Sequence, residues 1–179
     1  MKLCENNLIL WRIPMQGPIH EFFTNDHRRL DALLNTATRD PDTIDMVSYS
    51  EFRKGLLRHI KLEENILFRA AANARGGDPL PIVQRLRLDH GALTALMVPP
   101  PSPHIVSALL FILENHDLLE EQPGGLYDAC DELTRNDIDE LMGTIQSASD
   151  VPVHPFNESP HAIDATRRAL ARAGYHLEM

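Results

Sequence analysis

The stretch HIKLEENILF, residues 59–68, decides how this chain folds. Read at the helical period, it carries an apolar stripe of Ile60, Leu67 and Phe68 that continues back to Leu56 and Phe52. His59 and Glu63 fall on that same stripe. A polar pair on an inward face costs free energy unless something satisfies it. The pattern returns in HDLLEEQPGGLY, residues 116–127, where Glu120 and Glu121 take the places of Glu63 and Glu64. A chain that buries His-x-x-x-Glu twice must have a partner for it.

Helices are predicted outward from these two elements. The first runs from about Ile19 to Ala37, and the second from about Ile44 to Asn73, where Gly76 and Gly77 stop it. A third runs from about Pro81 to Val98. PPPSP then breaks the chain, and Ser102 caps a fourth helix from about Pro103 to Glu121. QPGG interrupts, and helical patterning resumes from Leu126 to about Ser147. Beyond it lies a polar, Pro-rich linker and one short helix, about Pro160 to Ala173, capped by Ser159. Short connections favour antiparallel neighbours. The expected fold class is therefore all-α, an up-down four-helix bundle over residues 19–148. An N-terminal arm occupies 1–18, and the linker and C-terminal helical segment occupy 149–179.

The inward stripes are Phe23, His27, Leu30 and Leu34 on the first helix, and Phe52, Leu56, His59, Glu63 and Leu67 on the second. On the third they are Val83, Leu86, His90, Leu93 and Met97, and on the fourth Leu109, Ile112, His116 and Glu120. One histidine on an apolar face is usually an ordinary core residue. Four of them, one per helix, with two carboxylates one turn on, converge on a single layer and imply a buried cation. Histidine and carboxylate without thiolate suit iron, manganese or zinc. One tetrahedral zinc would leave ligands over. Two octahedral ions bridged by the carboxylates offer about twelve positions, of which the six side chains and a bridging oxygen fill about ten.

Composition narrows the function classes. The chain has 179 residues, 43% hydrophobic and 24% charged, enough for one globular domain with a core. A net charge of −9 without a clustered basic run argues against nucleic acid as a partner. Cys4 and Cys130 form neither a disulfide framework nor a thiolate metal site. LILW, residues 8–11, is too short for a signal-peptide core or a membrane span, so a cytoplasmic protein without a membrane partner is expected.

Over about residues 19–133 the chain resembles the hemerythrin-like, or HHE cation-binding, domains. The matching pieces are NDHRRLDALL, RHIKLEENILF, RLDHGALTALM and ENHDLLEEQPGGLY, in the family's order. The resemblance implies a four-helix bundle holding two iron ions in a non-haem centre, manganese or zinc being the alternatives. Its ligands by matched position are His27, His59, Glu63, His90, His116 and Glu120. It also implies a small-molecule ligand such as O2, NO or peroxide, in oxygen or redox sensing or in iron handling. Oxygen-carrying hemerythrins have a second histidine one turn after the third-helix histidine. Here that place is Thr94, which leaves an open or solvent-filled position and sets the chain apart from simple oxygen carriage.

Several neighbours are expected outside the ligand set. His20 is about 10 Å along the helix from His27, too far to share one ion. Glu64 and Glu121 are about 100° off the stripe, on a solvated face or beside a ligating histidine. Tyr127, close to the fourth element, is a candidate to line the site, with packing the expected role. His104, His154, His161 and His176 read as surface or tail residues. Three function classes remain: a binder or sensor, which would need a protein partner or a second copy; a di-iron oxidase or peroxidase-like enzyme; and a metal-free helical interaction module. Ferritin-like oxidases use Glu-x-x-His and a carboxylate-rich shell, whereas this order is His-x-x-x-Glu with histidine dominant.

Overall fold

A computed structural model describes residues 16–176, so most of the expected N-terminal arm lies outside the described residues. Among the described residues the regular structure is all helical. The elements are α1 (Pro18–Ala37), α2 (Met46–Leu62), a π turn (Glu63–Leu67), α3 (Phe68–Ala74) and α4 (Val83–Leu96). They are followed by α5 (Pro103–Glu121), α6 (Leu126–Leu133), α7 (Ile138–Ser147) and α8 (Pro160–Arg172). No described helix is long and apolar enough to cross a membrane.

The starts follow from the local sequence. Asp45 caps α2 by accepting from the Val47 amide, and Ser102 and Ser159 cap α5 and α8, each ahead of a proline in the first turn. Gly17 has no side chain to cap α1. Instead the Ile19 and His20 amides donate to the carboxylate of Asp131 on α6, at 3.0 and 3.1 Å. A side chain on Gly17 would collide with that carboxylate.

Two predicted elements differ in detail. The second helix is not regular throughout: at Glu63 it widens, and the Phe68 amide reaches back to the Glu63 carbonyl, five residues earlier. Such turns are frequent at functional sites. The helix expected over Leu126–Ser147 is two helices, parted at Thr134–Asp137. Here the Thr134 hydroxyl bonds the Cys130 carbonyl and the Asp137 amide bonds the Thr134 carbonyl, closing a turn.

Neighbours run antiparallel. Gly55 lies against Leu30 and Arg29 while His59 meets His27, so α2 descends as α1 rises. The C-terminal segment docks. The Thr166 hydroxyl donates to the Ala95 carbonyl and Arg85 Nη1 donates to the Ala173 carbonyl, which lays α8 antiparallel on α4. The linker before it is anchored by Arg53, which donates to the Met97 and His154 carbonyls and sits 4.3 Å over the Phe156 ring.

Every residue of the four predicted stripes is buried. Their apolar members divide into two clusters. Leu30, Leu34, Phe52, Leu56, Leu93 and Ile112 belong to one. Phe23, Leu67, Phe68, Val83 and Leu86 belong to the other. On the first three stripes the histidine comes between the two, and on the fourth His116 and Glu120 follow Leu109 and Ile112 of the first cluster. A polar layer is thus sealed between two dry ones, where an unsatisfied charge is most costly.

Candidate metal centre

The polar layer is built by four helices that supply one histidine each. His27 comes from α1, His59 from α2, His90 from α4 and His116 from α5, and none is more than 6% exposed. Glu63 opens the π turn and Glu120 lies in the last turn of α5, both at 0% exposure. The break after Glu121 leaves Glu120 facing inward with the others.

A carboxylate from another helix lies behind each imidazole. His27 Nδ1 meets Glu121 Oε1 at 2.6 Å, His59 Nδ1 meets Asp26 Oδ2 at 3.0 Å, and His90 Nδ1 meets Glu64 Oε1 at 2.9 Å. The fourth pair is looser: His116 Nδ1 stands 3.7 Å from Asp89 Oδ2, beyond hydrogen-bond range. A carboxylate only accepts, so Nδ1 carries the proton in the three close pairs. A neutral ring then offers a bare lone pair at Nε2. This is the arrangement that orients metal-binding histidines.

The Nε2 atoms converge on the two buried glutamates. His90 Nε2 is 3.1 Å from Glu63 Oε2, and His116 Nε2 is 3.2 Å from Glu120 Oε1. His59 Nε2 is 3.5 Å from Glu63 Oε2, and His27 Nε2 is 3.5 Å from Glu120 Oε2. His27 and His59 approach each other to 3.0 Å. Two sets of donors result, Glu63, His90, His116 and Glu120 in one, and His27, His59 and Glu120 in the other, the atoms of each lying within 4.8 Å of one another. These buried groups could hold a metal ion. Glu63 Oε2, Glu120 Oε1 and His90 Nε2 are buried without a hydrogen-bond partner, as donors awaiting a cation would be.

The electrostatics carry the same tension. Burial disfavours charge on His59, yet Glu63, Asp26 and Glu120 outweigh it and hold its pKa up at about 10. His116 is burdened by the same desolvation and is raised well above the ordinary value by Glu120, Asp89 and Glu63. Glu63 is desolvated too, but His59 and His90 hold it well below the usual carboxylate range. A protein without metal keeps this layer neutral by charging imidazoles. A metal ion would replace those protons.

Tyr127 corrects the expectation of a packing role. Its hydroxyl lies 2.8 Å from Glu63 Oε1, 2.9 Å from Glu120 Oε2 and 3.2 Å from His27 Nε2, in the middle of the donors. The Pro-Gly-Gly break puts it there. Gly124 takes a φ of +76°, and a Cβ on Gly125 would sit 2.7 Å from the Glu120 carbonyl oxygen. The chain therefore folds tightly over the end of α5 and starts α6 at the site.

Other residues take separate places. His20 is buried but turned away, its Nδ1 2.8 Å from Asp128 and its Nε2 3.1 Å from Gln16. Glu64 and Glu121 are the partners of His90 and His27 already described. Thr94 is exposed and lines the surface groove between α4 and α8, so it does not reach the donors. Asp26 and Asp89 were not singled out from sequence, although each precedes a site histidine. Asp117 was also missed. Its Oδ1 is buried without a hydrogen-bond partner, 3.9 Å from His27 Nε2, and burial pushes its carboxyl up to about 6. It borders a cavity of about 10 Å³, with His27, His59 and His116 on one side and Leu30, Leu56 and Leu93 among the rest of its lining. That is room for about one water-sized molecule.

Against models of known protein families, against curated proteins and against solved structures, the chain has no match.

Proposed function

We propose that this chain is a hemerythrin-like up-down four-helix bundle. In this reading it holds a non-haem di-iron centre on His27, His59, Glu63, His90, His116 and Glu120, and it binds or senses a small molecule such as O2, NO or peroxide. One observation carries the reading: the two donor sets share Glu120, and Glu63 Oε2 is 3.5 Å from His59 and 3.1 Å from His90. Two carboxylates placed between two histidine pairs are the natural bridges of a pair of ions. Donors of nitrogen and carboxylate oxygen without sulfur fit iron, with manganese or zinc as the other candidates.

Bound iron would supply reversible electron transfer and open coordination positions for a small ligand. The chain does the rest. His27 and His59 are fixed from behind by Glu121 and Asp26, so their Nε2 atoms stay aimed inward. The cavity beside His27, His59 and His116 has room for about one water-sized molecule, and Leu30, Leu56, Ile60, Leu93 and Leu113 make most of its lining apolar. Asp117, whose buried Oδ1 has no hydrogen-bond partner, shares that lining with Asp31 and could bond a ligand there. These features favour binding or sensing, with selection by size.

The test is metal loading under anaerobic conditions, followed by metal counting and a visible spectrum on exposure to air or to NO. Two irons per chain and a ligand-dependent spectrum are expected. A saturating count of one would refute the dinuclear site. A count of zero for every metal tried would leave a helical interaction module.

A further inference from the structure

The four histidines and two glutamates form two similar halves, but one residue breaks the symmetry. Tyr127 reaches both shared glutamates, and the histidine its hydroxyl contacts is His27. The ring beside His90 is that of Phe68, which stacks on the imidazole at 5.8 Å and has no donor atom. The Tyr127 ring is held in place by Phe23, stacked at 5.2 Å, and by the edge of His20 at 5.9 Å. It is completely buried, so its hydroxyl has no alternative in solvent.

The hydroxyl has more acceptors than it can serve. A phenol donates one proton. Tyr127 Oη faces Glu63 Oε1, Glu120 Oε2 and His27 Nε2, and the Nδ1 of His27 already holds that ring's proton against Glu121. One phenolic proton serves one of these contacts, and in the metal-free chain the others depend on protons carried by the imidazoles. A cation among these atoms settles all of them. The spacings agree. Donors at neighbouring corners of an octahedral ion, with bonds of about 2.1 Å, lie about 3 Å apart. Tyr127 Oη is 2.9 Å from Glu120 and 3.2 Å from His27, and His27 is 3.0 Å from His59.

Resting on the di-iron reading above, we infer that Tyr127 is a metal ligand, binding through its phenolate oxygen the iron held by His27 and His59. On forming the Fe(III)–O bond the phenol releases its proton to solvent, and the iron keeps its oxidation state. That iron has five protein donors, His27, His59, Glu63, Glu120 and Tyr127, and the one beside His90 and His116 has four. Phenolate is a hard, anionic donor, so it favours the ferric ion over the ferrous one. The centre is thereby split into two unlike irons, with the phenolate-bound one easier to keep oxidised.

The chain has three tyrosines, Tyr49, Tyr127 and Tyr175, which makes the assignment testable. The full chain is loaded with Fe(II) without air, oxidised with ferricyanide, and examined for iron content, visible absorption and resonance Raman scattering. The expected result is two irons per chain, a phenolate-to-Fe(III) charge-transfer band, and ring vibrations that shift when ring-deuterated tyrosine is incorporated. Tyr127→Phe should keep both irons and lose the band. Should Tyr127→Phe fail to fold, Tyr49→Phe and Tyr175→Phe decide: each must keep the band if Tyr127 is its source. Two irons with no band overturn the assignment and leave Tyr127 as a hydrogen-bond donor to the carboxylates. A chain that binds no iron overturns the di-iron reading as well.

Discussion

His27 and His59 meet with their Nε2 atoms 3.0 Å apart, although Glu121 and Asp26 hold the proton of each ring at its Nδ1. Two lone pairs at that distance repel unless a proton or a metal ion lies between the rings. Either could do so, and on the metal-binding reading proposed above a bound ion would stabilise the fold. An ion that binds the native chain stabilises it by about 2.7 kcal/mol at a hundredfold excess over Kd. For a chain of this size that raises Tm by about 5–10 °C. Thermal melts of iron-loaded and chelated protein at neutral pH should differ by that much or more. Equal melts, in protein shown to have been loaded, would mean that the layer does not bind metal.

The metal-free chain should respond to pH in a direction set by its raised histidines. His59 has a folded pKa of about 10 against an unfolded one near 6.5. A raised pKa contributes stability that is complete below the unfolded value and is lost as pH climbs through the folded value. Glu63 is lowered, so its contribution is present above the ordinary carboxylate range and is lost as pH falls through its depressed value. Chelated protein should therefore weaken steadily from about pH 6.5 toward 10, read as a falling denaturant midpoint. His59→Gln should flatten that slope. A midpoint that rises with pH over this window would contradict the ion-paired layer.

The carboxylates behind the histidines should tune affinity without being ligands. Removing such a partner typically costs about 10–100-fold in metal affinity. Asp26→Ala frees His59 Nδ1, and Glu64→Ala frees that of His90. Each should weaken one ion by that range, measured by competition with a chelator. Asp26→Asn keeps an acceptor for the Nδ1 proton and should recover most of the loss. Glu63→Ala and Glu120→Ala remove shared groups, so either should lower the metal count itself. If Asp26→Asn is as damaging as Asp26→Ala, the charge on Asp26 matters more than the orientation of His59.

Much of this was legible in the sequence because burial writes itself at the helical period. All four stripes are buried as read, and all six proposed ligands lie in one layer. Other features had no such signature. The π turn at Glu63 depends on one shifted hydrogen bond, and EENIL reads as ordinary helix. In sequence the break at QPGG reads only as an interruption after α5, because a turn's direction is set by φ values at glycine that composition does not state. It is the turn that brings Tyr127 to the donors. Asp26 and Asp89 do carry a signal in retrospect. Each precedes a site histidine, as Glu63 precedes Glu64 and Glu120 precedes Glu121. One residue of each adjacent pair faces the layer, and its neighbour reaches or approaches a histidine of an adjoining helix.

The docked tail reaches the same layer, and its contribution can be separated from simple packing. Tyr175 donates its hydroxyl proton to Asp89 Oδ1 at 2.7 Å and accepts from Arg85 Nη2 at 2.7 Å. Arg85 is itself tied to the Ala173 carbonyl and to both oxygens of Asp89. Asp89 is 1% exposed, and its other oxygen stands 3.7 Å from His116 Nδ1. The segment just after α8 thus holds the carboxylate that stands behind the fourth histidine. Tyr175→Phe removes two hydrogen bonds to charged groups, each worth about 1.5–3 kcal/mol. A lower Tm alone would fit either a packing role or a role at the site. The distinguishing measurement is two-site metal titration. Tyr175→Phe should weaken the ion at His90 and His116 by roughly tenfold, the low end for a lost supporting bond, and leave the ion at His27 and His59 unchanged. Phe111→Ala, which removes the ring that meets Tyr175 edge-on at 6.1 Å, should lower Tm with a much smaller effect on that affinity. Loss of stability in both variants with unchanged affinities would show that the tail supports the fold and not the metal centre.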